Sequence, residues 1–291
     1  MTDLTLGGMT SNLEPKSGWR ARLALSFAHH RDKTRVVRSE RMGPLSIQRA
    51  FYPEDEVCHS YLLHPPGGVV GGDRLEVVVE VEANAHALIT TPGATKFYRS
   101  GGRLAHYHQQ LEVKSKGALE WFPQENIFFP DSQLKMHTQI DLQTGARFIG
   151  WEMQCLGRPA IDERFDQGQI RSSLHLCMDG KPLLIEHFNT LNDQLQGSAS
   201  GLRGYPMQAT LFITPADDLL LEKVREAIQQ SLDHWSHPDI QVGATRLDGL
   251  IVVRFLGYQT ETLLQLMTLV WKTVRPSVMN RTACVPRIWA T

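Results

Sequence analysis

The sequence predicts a predominantly β protein with two α-helices in its C-terminal third. Short apolar runs of period two recur between turn residues from Trp19 to about Thr214, whereas apolar residues at three- and four-residue spacing occur only after Asp217. No run reaches the roughly 18 apolar residues of a membrane span.

Taken in order, residues 1–18 (MTDLTLGGMTSNLEPKSG) are polar and aperiodic and read as a flexible tail. Trp19–Phe27 (WRARLALSF) opens the alternating pattern. It continues through Pro44–Phe51, Arg74–Val81, His86–Thr91, Arg103–Val113, Ala118–Phe122, Leu134–Leu142, Arg147–Leu156 and Gln169–Met178. Strands at this spacing build a sandwich, a barrel or stacked sheets. Asp217 or Asp218 can then cap a helix that turns Leu221, Val224, Ile228, Leu232 and Trp235 to one side. Gly249–Leu256 reads as a strand, and Thr260 starts a second helix with Leu263, Leu264, Met267, Trp271 and Val274 inward, stopped by Pro276. With no repeat and no linker, residues 19–291 read as one β-rich domain.

Composition narrows the function. A hydrophobic fraction of 42% and a charged fraction of 21% are those of an ordinary globular chain. A net charge of -1 removes the broad attraction that carries non-specific nucleic-acid binding. Cys58, Cys155, Cys177 and Cys284 form no C-x-x-C pair, so neither a zinc knuckle nor a disulfide framework is expected. The N-terminus lacks the basic start and apolar stretch of a signal peptide, and the expected location is cytoplasmic.

The most unusual segment is Cys58–Arg74, CHSYLLHPPGGVVGGDR. Pro65 and Pro66 fix φ and remove two backbone donors, while Gly67, Gly68, Gly71 and Gly72 permit positive φ or close chain approach. Gly67 and Gly72 have the spacing of a phosphate loop, but Asp73 and Arg74 follow instead of Lys and Ser or Thr. The glycines therefore read as a structural device, with a partner or ion surface as the alternative. Gly197–Gly201 (GSASG) is no nucleophile elbow, because Ala199 stands at its centre.

Of the histidines, His106 and His108 share a strand face about 7 Å apart and would need a third ligand to hold a metal. Cys58 and His59 point to opposite faces, and His64 is about 20 Å along an extended chain from Cys58. His234 and His237 fit a helix C-terminus as readily as a metal. Asp73, Glu120, Glu152 and Glu186 lie in apolar β context, where each must face solvent, meet an arginine or line a wet interior. Arg99, Arg158, Arg171 and Arg203 are candidate partners. As a set the carboxylates offer hard oxygen ligands for weak cation contacts.

The blocks Gly43–Glu54 (GPLSIQRAFYPE), Cys58–Asp73, Ala85–Ser100 (AHALITTPGATKFYRS), Leu119–Phe129 (LEWFPQENIFF), Trp151–Phe165 (WEMQCLGRPAIDERF) and the ending Pro286–Thr291 (PRIWAT) together resemble the UreD (UreH) family of urease accessory proteins. The departures are local: two extra residues around Asp55–Val57, Pro130-Asp131 where Gly-Ala is common, and Met279-Asn280 where Leu-Gly is usual. The resemblance implies stacked, β-helix-like sheets with two helices and a non-catalytic metallochaperone scaffold. It implies partnership with UreF, UreG and apo-urease, no tightly bound cofactor, no membrane partner, and transient nickel. Asp73, Glu152 and Glu186 look similar to acidic residues of a nickel passage in that family. Rival readings are an enzyme acting at the Gly67–Asp73 loop and a β-rich binding module unrelated to metal.

Overall fold

The computed structural model describes residues 18–235 and 239–290. Residues 1–17 of the expected tail and His237 of the expected histidine pair lie outside the described residues.

Two β-sheets face each other. The first runs, edge to edge, β14 (Lys181–Leu191), β13 (Gly168–Met178), β11 (Ser132–Leu142), β8 (Ala105–Val113), β5 (Arg74–Val81), β1 (Arg20–His30) and β2 (Lys33–Met42). The second runs β16 (Ile240–Leu247), β17 (Leu250–Gly257), β15 (Met207–Thr214), β12 (Arg147–Leu156), β9 (Ala118–Phe122), β6 (His86–Thr90), β4 (Cys58–Leu63) and β3 (Ser46–Ile47), with β7 (Thr95–Phe97) and β10 (Asn126–Phe128) pairing beside β12. From β4 to β13 the chain crosses back and forth between the sheets, laying each strand parallel to the one before it in the same sheet. These are the coils of a solenoid. Hairpin strands β2 and β14 run antiparallel to β1 and β13 and end the first sheet on both sides.

Strict alternation sets what each face carries. Along β5, Leu75, Val77, Val79 and Val81 are buried while Arg74 is exposed. The space between the sheets holds one apolar core, built from residues such as Phe27, Val79, Leu111, Phe148 and Phe212. A second core fills the opposite side of the second sheet, where Ile149, Trp151 and Leu211 meet α2 (Asp218–His234) and α3 (Thr260–Met279). A one-turn helix, α1 (Gln194–Gly197), precedes them, too short for periodicity to reveal.

Asp217 caps α2, its side chain accepting from the Leu220 N–H at 2.8 Å. Pro276, expected to stop the second helix, lies inside α3. The helix runs on because Val278 and Met279 are buried beyond it, and it ends where Asn280 turns left-handed at φ 56°. The other departures from the family pattern are turns of the same kind, Asp55 at φ 61° and Asp131 at φ 64°. Asp and Asn tolerate that backbone better than other side chains, which explains how Asn280 stands where glycine is usual.

Replacing the cap, Asp217→Ala, is expected to cost about 1 kcal/mol in urea unfolding with an unchanged m-value. An unchanged midpoint would show that the cap does not stabilise α2.

Candidate functional site

The Pro65–Asp73 segment is shaped by close backbone contacts. A Cβ at Gly68 would sit 2.3 Å from the Tyr98 ring, and Gly72, at φ 94°, leaves room for Gly18, whose own Cβ would lie 2.1 Å from the Gly72 carbonyl carbon. Asp73 then gathers the loop: Oδ1 accepts from the Trp19 N–H at 2.8 Å and Oδ2 from the Val70 N–H at 2.9 Å. The carboxylate occupies the donors that a phosphate loop would aim at its ligand. Burial holds His64 below the usual imidazole range, with the Asp73 charge opposing that shift.

Glu152 occupies a different place. Even-numbered residues of β12 face the first sheet, so Glu152 projects between the sheets, where its Oε1 accepts from the Thr138 hydroxyl at 2.6 Å. Strand register places Gln109, Thr138, Leu174 and Glu186 in one row across β8, β11, β13 and β14. On the facing sheet, Glu152, Thr210 and Arg254 form a row across β12, β15 and β17. A polar seam thus crosses an otherwise apolar core, and its edge is closed by an ion pair between Glu186 and Arg254. Glu152 and Tyr107 keep some solvent-accessible surface while Trp151 and Met153 are sealed, so the seam has room beside these groups. Burial pushes the Glu152 carboxyl up to about 7, the Thr138 hydrogen bond opposing the rise and the Glu186 charge adding to it. Asp73 stands apart from this seam, four residues before Val77 and therefore about 13 Å along β5.

The arginine partners differ from the expected ones. Glu186 takes Arg254, and Arg158 is held by Glu163. Glu120 takes Arg275, in a buried cluster that spacing could not reveal because its members are 221 residues apart at the extreme. Arg275 donates to both oxygens of Glu54 at 2.6 and 2.8 Å and to Glu120 at 2.9–3.1 Å. His59 bonds Glu54 at 2.7 Å, His86 bonds Glu120 at 2.8 Å, and the Trp271 N–H donates to Glu120 at 2.6 Å. Burial pushes the Glu120 carboxyl up, but His86 and Arg275 more than offset it and hold it at about 2. The pairing is structural: it joins α3 to β9 and to the turn before β4.

The histidines also pair differently. His108 stacks on His137 of the neighbouring strand at 5.4 Å between ring centres, and His137 meets His175 at 5.0 Å. Among the described residues no three His, Cys, Asp or Glu side chains converge as a metal site. An apolar cleft of about 690 Å³ beside the start of α3, lined by Cys155, Ile161, Met207 and Tyr258, holds none of Asp73, Glu152 and Glu186. Ser198 and Ser200 bond each other in a turn after α1.

The profile of the family described as UreD urease accessory protein matches residues 19–290. The chain belongs to that family. The UreD urease accessory protein of Aliivibrio fischeri is 45% identical over 279 residues, covering 94% of this chain and 97% of that protein. That of Escherichia coli is 44% identical over 275 residues, at 94% and 98% coverage, and that of Pseudomonas entomophila 41% over 286 residues, at 97% and 99%. Members of the UreD family carry the name of accessory proteins, not of catalysts. Among the described residues no helix is long and apolar enough to cross a membrane.

Two variants separate structural from functional carboxylates. Glu120→Ala leaves Arg275 with Glu54 as its one carboxylate and strands the Trp271 N–H and the His86 ring in the core, and it is expected to cost about 3–5 kcal/mol in urea unfolding; a loss below 1 kcal/mol would contradict the clamp. Glu152 has the opposite sign. Its folded pKa is raised from 4.5 to about 7, so the native state holds a proton that the unfolded chain releases, and stability falls as pH rises through that window. The loss between pH 5 and pH 8 is at most about 3 kcal/mol and should vanish in Glu152→Gln. Equal pH dependence of the two proteins would contradict it.

Proposed function

We propose that this chain is a cytoplasmic, non-catalytic scaffold that docks on apo-urease together with UreF and UreG and assists nickel insertion, nickel being cargo rather than a resident cofactor. Family membership over residues 19–290 supports the accessory role. The polar seam between the sheets supports the transit reading, because it puts ionisable oxygens in an interior with room beside them.

In this reading Glu152 and Glu186 are the transient oxygen ligands, hard donors suited to a passing divalent ion without trapping it. A carboxyl poised near neutrality exchanges its proton for a cation with little electrostatic penalty. Asp73 lines the approach from the Pro65–Gly72 loop, where it also fixes the backbone.

Glu152→Ala and the Glu152→Ala/Glu186→Ala pair should leave soluble yield and co-purification with apo-urease and UreF intact while the urease produced carries less nickel. Full nickel loading with the pair would contradict transit through the seam. Failure of the wild-type chain to associate with apo-urease would contradict the scaffold role itself.

A further inference from the structure

The outer face of the first sheet carries a row of basic residues whose four exposed arginine and lysine side chains make no ion pair among the described residues. Register aligns Arg20 with Arg74, Arg74 with His106, His106 with Lys135, and Lys135 with Arg171, one residue from each of five adjacent strands. Their neighbours Ala21, Leu75, Ala105, Leu134 and Ile170 are buried, so these side chains face outward, and Arg20, Arg74, Lys135 and Arg171 are exposed. Among the described residues none of these four makes an ion pair or a side-chain hydrogen bond, in contrast to Arg22, Arg38 and Lys114 on the same sheet. Strands lie about 4.8 Å apart, so the row is about 19 Å long. Like charges directly opposite each other on neighbouring strands destabilise a sheet. Two such pairs, Arg20–Arg74 and Lys135–Arg171, stand on either side of His106, which burial and the charges of Arg74 and Lys135 hold below the usual imidazole range, and this uncompensated charge points to a ligand that offsets it.

The rest of the face defines that ligand. An exposed apolar side chain flanks the row: Leu104, two residues before His106 on the same face, whose carbonyl accepts from the Gly72 N–H. Six residues further along the strands, about 20 Å away, the same face carries Glu80, Glu112 and Asp141 in register. A broad anionic surface, such as a membrane or a duplex laid flat, would meet those carboxylates as well. A ligand no wider than an α-helix, about 10 Å across, would not. A helix also presents carboxylates every turn, about 5.4 Å, close to the spacing of the row.

We propose that this row is a docking surface for an acidic, helical segment of a partner protein, lying across the strands with an apolar side chain against Leu104. The site is separate from the interior seam and does not depend on nickel transit.

The probe is a fluorescent peptide of about twenty residues, Ala-rich with Glu once per turn on one face and a central Leu, long enough to cross the row as a helix, titrated by anisotropy against the full-length chain. Saturable, salt-sensitive binding is expected, weakened about tenfold or more by Arg74→Glu/Lys135→Glu/Arg171→Glu. The control Lys181→Glu/Lys223→Glu/Lys272→Glu makes the same change in net charge at exposed positions elsewhere and should stay within about twofold. Should the reversal variant misfold by circular dichroism, the Gln variants at the same three positions carry the test and should melt no lower than wild type, since repulsion is relieved. No binding, or equal loss in the control, overturns the proposal. So does tighter binding of duplex DNA or anionic phospholipid vesicles through the same row, or a wild-type dimer that the row variant abolishes.

Discussion

In-register stacking of parallel strands constrains everything else in this protein. Each strand of the solenoid hydrogen-bonds to the preceding and following coil, so neither residue register nor facing can slip by one without turning the apolar rows outward. Within that frame a polar residue at an inward position is held in the core by its strand. Glu152 is such a residue: Phe148 and Leu156 on the same face of β12 are buried in the inter-sheet core, and Glu152 goes with them. Its partner Thr138 limits the cost of burial while the Glu186 charge adds to it, and the carboxyl is pushed up to about 7 as a result.

The buried arginine shows the same frame used for the opposite end. Arg275 is fully enclosed, with two carboxylates, two histidines and an indole N–H satisfying the cluster. Such a pair adds little over apolar packing while intact and costs much when broken, so its value lies in fixing one arrangement of α3 on the second sheet. The C-terminal segment is tied to the same place: Trp289 packs on Phe122, Trp151 and Trp271 and donates to the Thr90 hydroxyl. Two interior carboxylates, Glu120 and Glu152, thus have pKa values displaced in opposite directions, the first lowered by its cationic neighbours and the second raised by desolvation.

Much of the architecture was legible because alternation is local. Arg74–Val81, Ala118–Phe122 and Arg147–Leu156 coincide with observed strands. The strand Lys33–Met42 escaped detection because it is an exposed hairpin edge with almost no buried side chain. Lys181–Leu191 and Ile240–Leu247 are likewise edge strands; their burial alternates, but polar Glu186, Thr190 and Arg246 hold inward positions while Ile185, Leu191 and Leu247 are exposed, so hydropathy does not reveal the period. In α3, Leu266 and Val270 are buried as well as the expected residues, because the helix packs over a wide face, whereas Leu264 is only half-buried. The carboxylates could be singled out as anomalies in apolar strands, but their partners could not. Arg275 and Arg254 reach Glu120 and Glu186 across 155 and 68 residues, a distance that only the stacked topology resolves. The outer cationic row was invisible for the same reason, since Arg20, Arg74, Lys135 and Arg171 align only once register is known.

The account turns on Glu152 as an interior carboxyl that gives up its proton when a cation enters the seam. Calorimetric titration of the chain with nickel at pH 6.5, in two buffers of different ionisation enthalpy, reads the protons released per ion bound. The account predicts a release by the wild-type chain that Glu152→Gln abolishes at unchanged fold. The same release from both proteins would contradict it.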